Sequence, residues 1–147
     1  MKESEYMNLI NFEDENDLYT RLSKDAESNT VSVIGNVYLI EYLFHNFLNN
    51  NYDVVNINFD TNDIDNTYIL MLKCESVSIQ PIKSPDNDLL KLSDQVFIDI
   101  ETVDSKLMSD CVNDSSNAIV FSIGADVGLD DEFDAMKEYA VKKYFQK

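Results

Sequence analysis

Residues 52–82 read YDVVNINFDTNDIDNTYILMLKCESVSIQPI, and the fold class turns on how that stretch is parsed. Val55, Ile57 and Phe59 alternate with Asn56, Asn58 and Asp60, the two-residue period of a half-buried strand. Thr61 to Asn66 is polar and carries Asp63 and Asp65, which marks a loop. Tyr68, Leu70 and Leu72 then alternate with Ile69, Met71 and Lys73. A turn near Cys74–Glu75 leads to a third run in which Val77, Ile79 and Pro81 alternate with Ser76, Ser78 and Gln80. Three such runs in succession predict an antiparallel meander with one dry and one wet face.

Downstream, Lys83 to Asp88 has loop chemistry, and Leu89, Leu90 and Leu92 make either a short helical turn or an edge contact. Gln95 to Ile100 predicts a fourth meander strand, with Val96, Ile98 and Ile100 inward and Asp99 and Glu101 on the other face. Thr102 to Val112 carries Val103, Leu107 and Cys111 at helical spacing. Ala118 to Ile123 is almost wholly apolar and predicts a strand inside the sheet, broken by Gly124. The segment from Asp130 to Phe145 reads as a last helix, with acids in its first turn and lysines near its end, as the helix dipole favours.

Upstream, residues 1–16 read as a lead-in arm. Asn16 is the expected N-cap of a short helix carrying Leu18, Leu22 and Ala26. Val31, Val33 and Ile34 form a short extended run stopped by Gly35. Asn36 caps a stronger helix reaching Asn49, with Val37, Ile40, Phe44 and Phe47 on one face. The sum is one α+β domain over residues 1–147: a meander of about four to five strands covered by three to four helices.

Composition narrows the function. Eleven Lys plus Arg stand against 28 Asp plus Glu, for a formal net charge of −17. Phosphate contacts need cations, so direct binding to nucleic acid or to an anionic membrane is disfavoured, whereas a basic partner is favoured. No apolar run approaches the roughly 20 residues of a membrane span. Met1-Lys-Glu-Ser-Glu5 is acidic with no hydrophobic segment behind it, so neither a signal nor a transit peptide is expected. Cys74 and Cys111 read as small buried hydrophobes in a reducing cytoplasm. No cofactor or metal is expected.

Several patterns imitate catalytic motifs. Pro85-Asp86 followed by Asp104-Ser105-Lys106 matches the loose form of a metal-dependent nuclease site, in which two carboxylates hold Mg²⁺ and a lysine lies near the attacking water. Asp104 is better explained as an acid in a first helical turn. Gly124-Ala-Asp-Val-Gly128 joins strand to helix but lacks the Lys and Ser/Thr of a phosphate loop. Asp60, Asn62, Asp63 and Asp65 have the composition of a calcium loop without its glycine, and position 71 is Met where a Glu is required. The single histidine, His45, lies opposite the apolar stripe of its helix and has no partner for nucleophilic catalysis.

The remaining signal is geometric. Asp60, Asp63, Asp65, Glu75, Asp86, Asp88, Asp99, Glu101 and Asp104 recur along extended or looped backbone. Carboxylates spaced along a rigid sheet can imitate the phosphates of a duplex, which carries one charge per roughly 1.7 Å. The plain alternative is a solvated acidic face that serves solubility alone.

The runs Val33-Ile-Gly-Asn-Val-Tyr-Leu-Ile-Glu-Tyr-Leu43, Tyr52-Asp-Val-Val-Asn-Ile57, Tyr68-Ile-Leu70, Val77-Ser-Ile-Gln-Pro81 and Asp94-Gln-Val-Phe-Ile-Asp99, followed by Ser105-Lys-Leu107, resemble small acidic proteins of phages and mobile elements. Anti-defence proteins, anti-CRISPR inhibitors among them, belong to that group. The resemblance spans about Thr30 to Asp110 and implies a non-enzymatic inhibitor in the host-cell cytoplasm, without assigning residues to roles. The leading expectation is a stoichiometric inhibitor whose acidic, nucleic-acid-like surface blocks a basic nucleic-acid-binding effector nuclease such as Cas9. An immunity protein or antitoxin against a basic nuclease toxin is the nearest alternative. A metal-dependent nuclease using Asp86, Asp104 and Lys106 is the alternative of a different class. Oligomeric state is left open.

Overall fold

A computed structural model describes residues 8–60, 62, 66–82, 88–100, 106–107, 111–112, 115 and 117–124. The elements in chain order are β1 (Asn8–Phe12), α1 (Glu15–Asp25), β2 (Val31–Asn36), α2 (Val37–Asn49), β3 (Asp53–Ile57), β4 (Thr67–Lys73), β5 (Ser76–Pro81), α3 (Asp88–Leu92), β6 (Gln95–Asp99) and β7 (Ala118–Ile123). The expected helix from Asp130 to Phe145 lies outside the described residues. Of the one expected over Thr102 to Val112, residues 106–107 and 111–112 are described and are helical.

The strands form one seven-stranded sheet in the order β1-β7-β6-β2-β4-β5-β3. β1, β7, β6 and β2 are mutually parallel. β4 is antiparallel to both β2 and β5, and β3 is parallel to β5. Only β4 therefore runs against the rest. The chain does mix helices with a sheet as an α+β protein, but the sheet is not a four-to-five-stranded antiparallel meander.

The correction has a physical origin. Strand periodicity reports which side chains face the core and does not report which strands are neighbours. Of the stretch 52–82, only the β4–β5 hairpin pairs as expected, with Lys73 opposite Ser76 across the two-residue loop Cys74–Glu75. Both loop residues have positive φ, 51° and 61°, the geometry that matches the twist of the flanking strands. Cys74 is therefore exposed in a turn and not buried, while Cys111 is buried as expected.

β3 goes elsewhere. It crosses to the far side of β5 and pairs in parallel, with a register irregularity between Val54 and Asn56. Val54 and Val55 are 51% and 65% exposed, so Val55 is not a core residue. Ile57 and Phe59 do pack against the core.

The central strands of the sheet are dry on both faces. One face packs α1 and α2 through Leu18, Leu22, Val37, Ile40, Leu43 and Phe47 onto Val33, Leu70, Phe97 and Phe121. The other packs Leu90, Leu107 and Cys111 onto Ile34, Val96, Ile98 and Val120. Central strands buried on both sides read as continuous apolar runs, as in Tyr68-Ile-Leu-Met-Leu72 and Ile119-Val-Phe121. β2 likewise runs through Gly35 to Asn36 and does not stop at the glycine. A Cβ at Gly35 would sit 2.9 Å from Leu39 Cδ2, so a larger residue there would have to push the end of the Leu39 side chain aside.

Two further expectations shift. Part of the lead-in arm is β1, which pairs along β7 and sets Phe12 edge-on against Phe121 at 5.9 Å. The N-cap of α1 is Asp14, whose carboxylate accepts the Asp17 N–H at 2.9 Å, so Asn16 falls inside the first turn. Asn36 caps α2 as expected, its Oδ1 accepting the Leu39 N–H at 3.0 Å. Among the described residues no helix is long and apolar enough to cross a membrane.

Candidate functional site

The topology singles out one place on the molecule. The chain moves from β1 through α1 to β2, and from β2 through α2 to β3, each time in the same direction across the sheet and on the face that carries α1 and α2. From β6 to β7 it moves in the opposite direction, past Leu107 and Cys111 on the other face. The two kinds of crossover share one hand, as the right-handed preference of parallel connections demands. They diverge from the adjacent strands β2 and β6. Where neighbouring parallel strands send their connections to opposite faces, a crevice opens at their carboxyl ends, the usual ligand position in open α/β sheets.

A pocket of about 490 Å³ lies at that point. Asn36 from the end of β2, Asp99 from the end of β6 and Ile123 from the end of β7 line it. Tyr38, Leu39 and Tyr42 enter from the first turns of α2, and Glu15 from the start of α1. Its volume falls in the range of small-molecule sites.

Asp99 brings a carboxylate to the pocket. It is only 8% exposed, and its Cβ lies 3.7 Å from the Cβ position of Gly35, beside the N-terminus of α2. α2 has no acidic residue in its own first turn. A carboxylate contributed by the neighbouring strand is favourably placed against the positive end of that helix. The expectation that Asp99 alternates onto a wet face fails because β6 has no wet face: Val96, Phe97, Ile98 and Asp99 are all buried. The sequence signals that could have located the crevice are the polar residues Asn36 and Asp99, each closing a largely apolar strand.

The other candidate carboxylates among the described residues are not gathered in one place. Asp60 is exposed three residues beyond β3, and its backbone N–H and carbonyl both meet the Tyr68 hydroxyl. It lies at the carboxyl end of the sheet, on the side far from β6, since β3 is four strand positions away. Glu75 is exposed in the β4–β5 turn at the opposite end of the sheet. There its carbonyl accepts the Asp53 N–H at 2.9 Å. Asp88 is the first residue of α3. Asp63, Asp65, Asp86, Glu101 and Asp104 lie outside the described residues. So do the two carboxylates of the nuclease pattern, whose Lys106 is exposed.

Ion pairing among the described residues is sparse. Arg21 Nε contacts Asp25 Oδ2 at 2.7 Å one helical turn away, and His45 stands 3.7 Å from Glu41. His45 is exposed, as expected. Near the Glu75 end of the sheet, burial pushes the Tyr52 hydroxyl above its ordinary pKa of 10.0, with Tyr19, Glu75 and Glu27 adding to the shift. Among the described residues no group of three or more His, Cys, Asp or Glu could hold a metal ion. No protein-family model matches this chain, and neither curated proteins nor solved structures give a match.

Proposed function

We propose that this protein is a non-enzymatic, stoichiometric inhibitor that docks through an acidic surface onto a basic nucleic-acid-binding protein. A CRISPR effector nuclease of the Cas9 type is the most specific target, because its heteroduplex channel is lined with positive charge. The observation that carries this reading is the position of β3 at the outer edge of the sheet among the described residues. No Lys or Arg occurs between Lys24 and Lys73, a stretch that includes the whole of β2, α2 and β3. On the edge itself, exposed Val54 and Val55 offer apolar contact area between the exposed carboxylates Asp53 and Asp60, with Glu75 on the adjoining turn. An edge strand also presents backbone N–H and C=O groups that a partner can pair. Apolar anchors within an acidic rim suit a partner whose own surface is basic.

The test is capture of the partner from a defence-positive host lysate, followed by affinity measurements at about 50 and about 200 mM salt. Affinity should fall at least tenfold over that range, and the triple change Asp53→Asn, Asp60→Asn, Glu75→Gln should weaken it at low salt by a similar factor. An affinity indifferent to salt would rule out an electrostatic docking surface.

A further inference from the structure

We propose that the β3 edge fits the single-strand groove of a nucleic-acid-binding protein and not a duplex channel. Val54 and Val55 take the place of a stacked base, and Asp53, Asp60 and Glu75 the places of phosphates. The inference rests on the acidic docking surface proposed above and names the kind of surface it meets.

The valines carry the argument. Val54 pairs with Val77 and Asn56 with Ser78, so Val55 is an extra residue on β3 with no opposite number on β5. Such a bulge disrupts the ladder locally and re-aims a side chain. Successive residues of a strand ordinarily point to opposite faces, yet Val54 and Val55 are both more than half exposed. Covering them removes apolar area from water, which calls for an apolar receptor between the partner's cations. Charge sits at both ends of the pair. Asp53 begins β3, and its N–H donates to the Glu75 carbonyl at 2.9 Å, which holds the turn beside it. At the other end, Asp60 Oδ1 accepts the Asn62 N–H at 2.9 Å. Asp53, Asp60 and Glu75 are all exposed.

Magnitudes decide between duplex and single strand. The seven steps from Asp53 to Asp60 span at most about 23 Å of extended chain. A duplex presents about a dozen phosphates over that length, at one per roughly 1.7 Å. The chain from Asp53 to Glu75 holds five acids in all, namely Asp53, Asp60, Asp63, Asp65 and Glu75. A channel built for the denser array meets too little charge here, and two valines it has no place for. Single-strand grooves use both features: cations that follow one backbone, and aromatic side chains on which bases stack. An aliphatic side chain can cover such a ring, because stacking there needs no base-specific hydrogen bond. Grooves of this kind occur in single-strand-binding proteins of the OB fold and along the displaced strand of Cas9. For a Cas9-type target the contact therefore moves from the heteroduplex channel to that groove.

The test uses the full chain and two probes in about 50 mM NaCl. One is a bacterial OB-fold single-strand-binding protein holding labelled oligothymidine; the other is an HU-type protein holding a labelled duplex. Fluorescence anisotropy reads displacement. The chain should displace oligothymidine at a concentration at least tenfold below that needed for the duplex. Val54→Thr together with Val55→Thr keeps the β-branched shape at two exposed positions. It should raise the single-strand value at least tenfold with the melting temperature unchanged. Asp53→Asn together with Asp60→Asn should raise it by a similar factor. Displacement of neither nucleic acid, equal or easier displacement of the duplex, or undiminished displacement after both valine substitutions would overturn the inference. None of those outcomes alters the salt dependence of the captured partner, so the docking surface and its single-strand assignment fail separately.

Discussion

Asn36 does two jobs with one side chain. It is the last residue of β2 and the cap of α2, and its amide oxygen satisfies a helix N–H that has no partner within the helix. Asn36→Ala should cost about 1 kcal/mol in urea denaturation with an unchanged m-value, and Asn36→Asp should recover most of the loss. That cap was legible because Asn precedes an apolar helical pattern. Asp14 was harder to read, because several acids and an Asn compete for the same role and only backbone geometry selects the one in extended conformation. Asp99 was misread for a different reason. Alternation assigns it to the face opposite Val96 and Ile98, which is correct, but that face lies under α2 and not in water.

At the scale of elements, the β4–β5 hairpin is local and the sequence shows it. A two-residue loop fixes its register, and the apolar positions on both strands agree. The loop residues are poor for their conformation, since an L residue other than Asn or Asp is strained at positive φ. Replacing Cys74 by Asn and Glu75 by Gly should therefore stabilise the chain by about 1 kcal/mol. A thermal melt would show it, and an unchanged or lower midpoint would mean that the turn tolerates its present residues without strain. β3 shows the opposite case. Its alternation is as regular as that of β5, yet two of its valines are solvent-exposed and its partner is a parallel strand, not the next one along the chain. The backbone of β4 is already paired on both sides by β2 and β5. β3 is thus left with the outer edge, and no property of residues 53–57 encodes that exclusion.

For the molecule as a whole, a net charge of −17 with few compensating pairs among the described residues implies self-repulsion in the folded state. Raising NaCl from about 10 to about 200 mM should lift the melting temperature by a few degrees, equivalent to about 1 kcal/mol at this chain length. A flat or falling response would mean that the carboxylates are neutralised locally. Composition and period alone determined the acidic balance, the capped helix α2, the hairpin, the buried strand Ala118–Ile123 and the mixed α+β class, because each depends on residue counts or on neighbours a few positions apart. The order of the seven strands, the burial of Asp99, the edge position of β3 and the crevice between β2 and β6 were decided only by tertiary structure. Each of these depends on which strands meet across the sheet and which face each crossover takes, and those choices are settled by competition among distant segments for backbone partners and apolar cover.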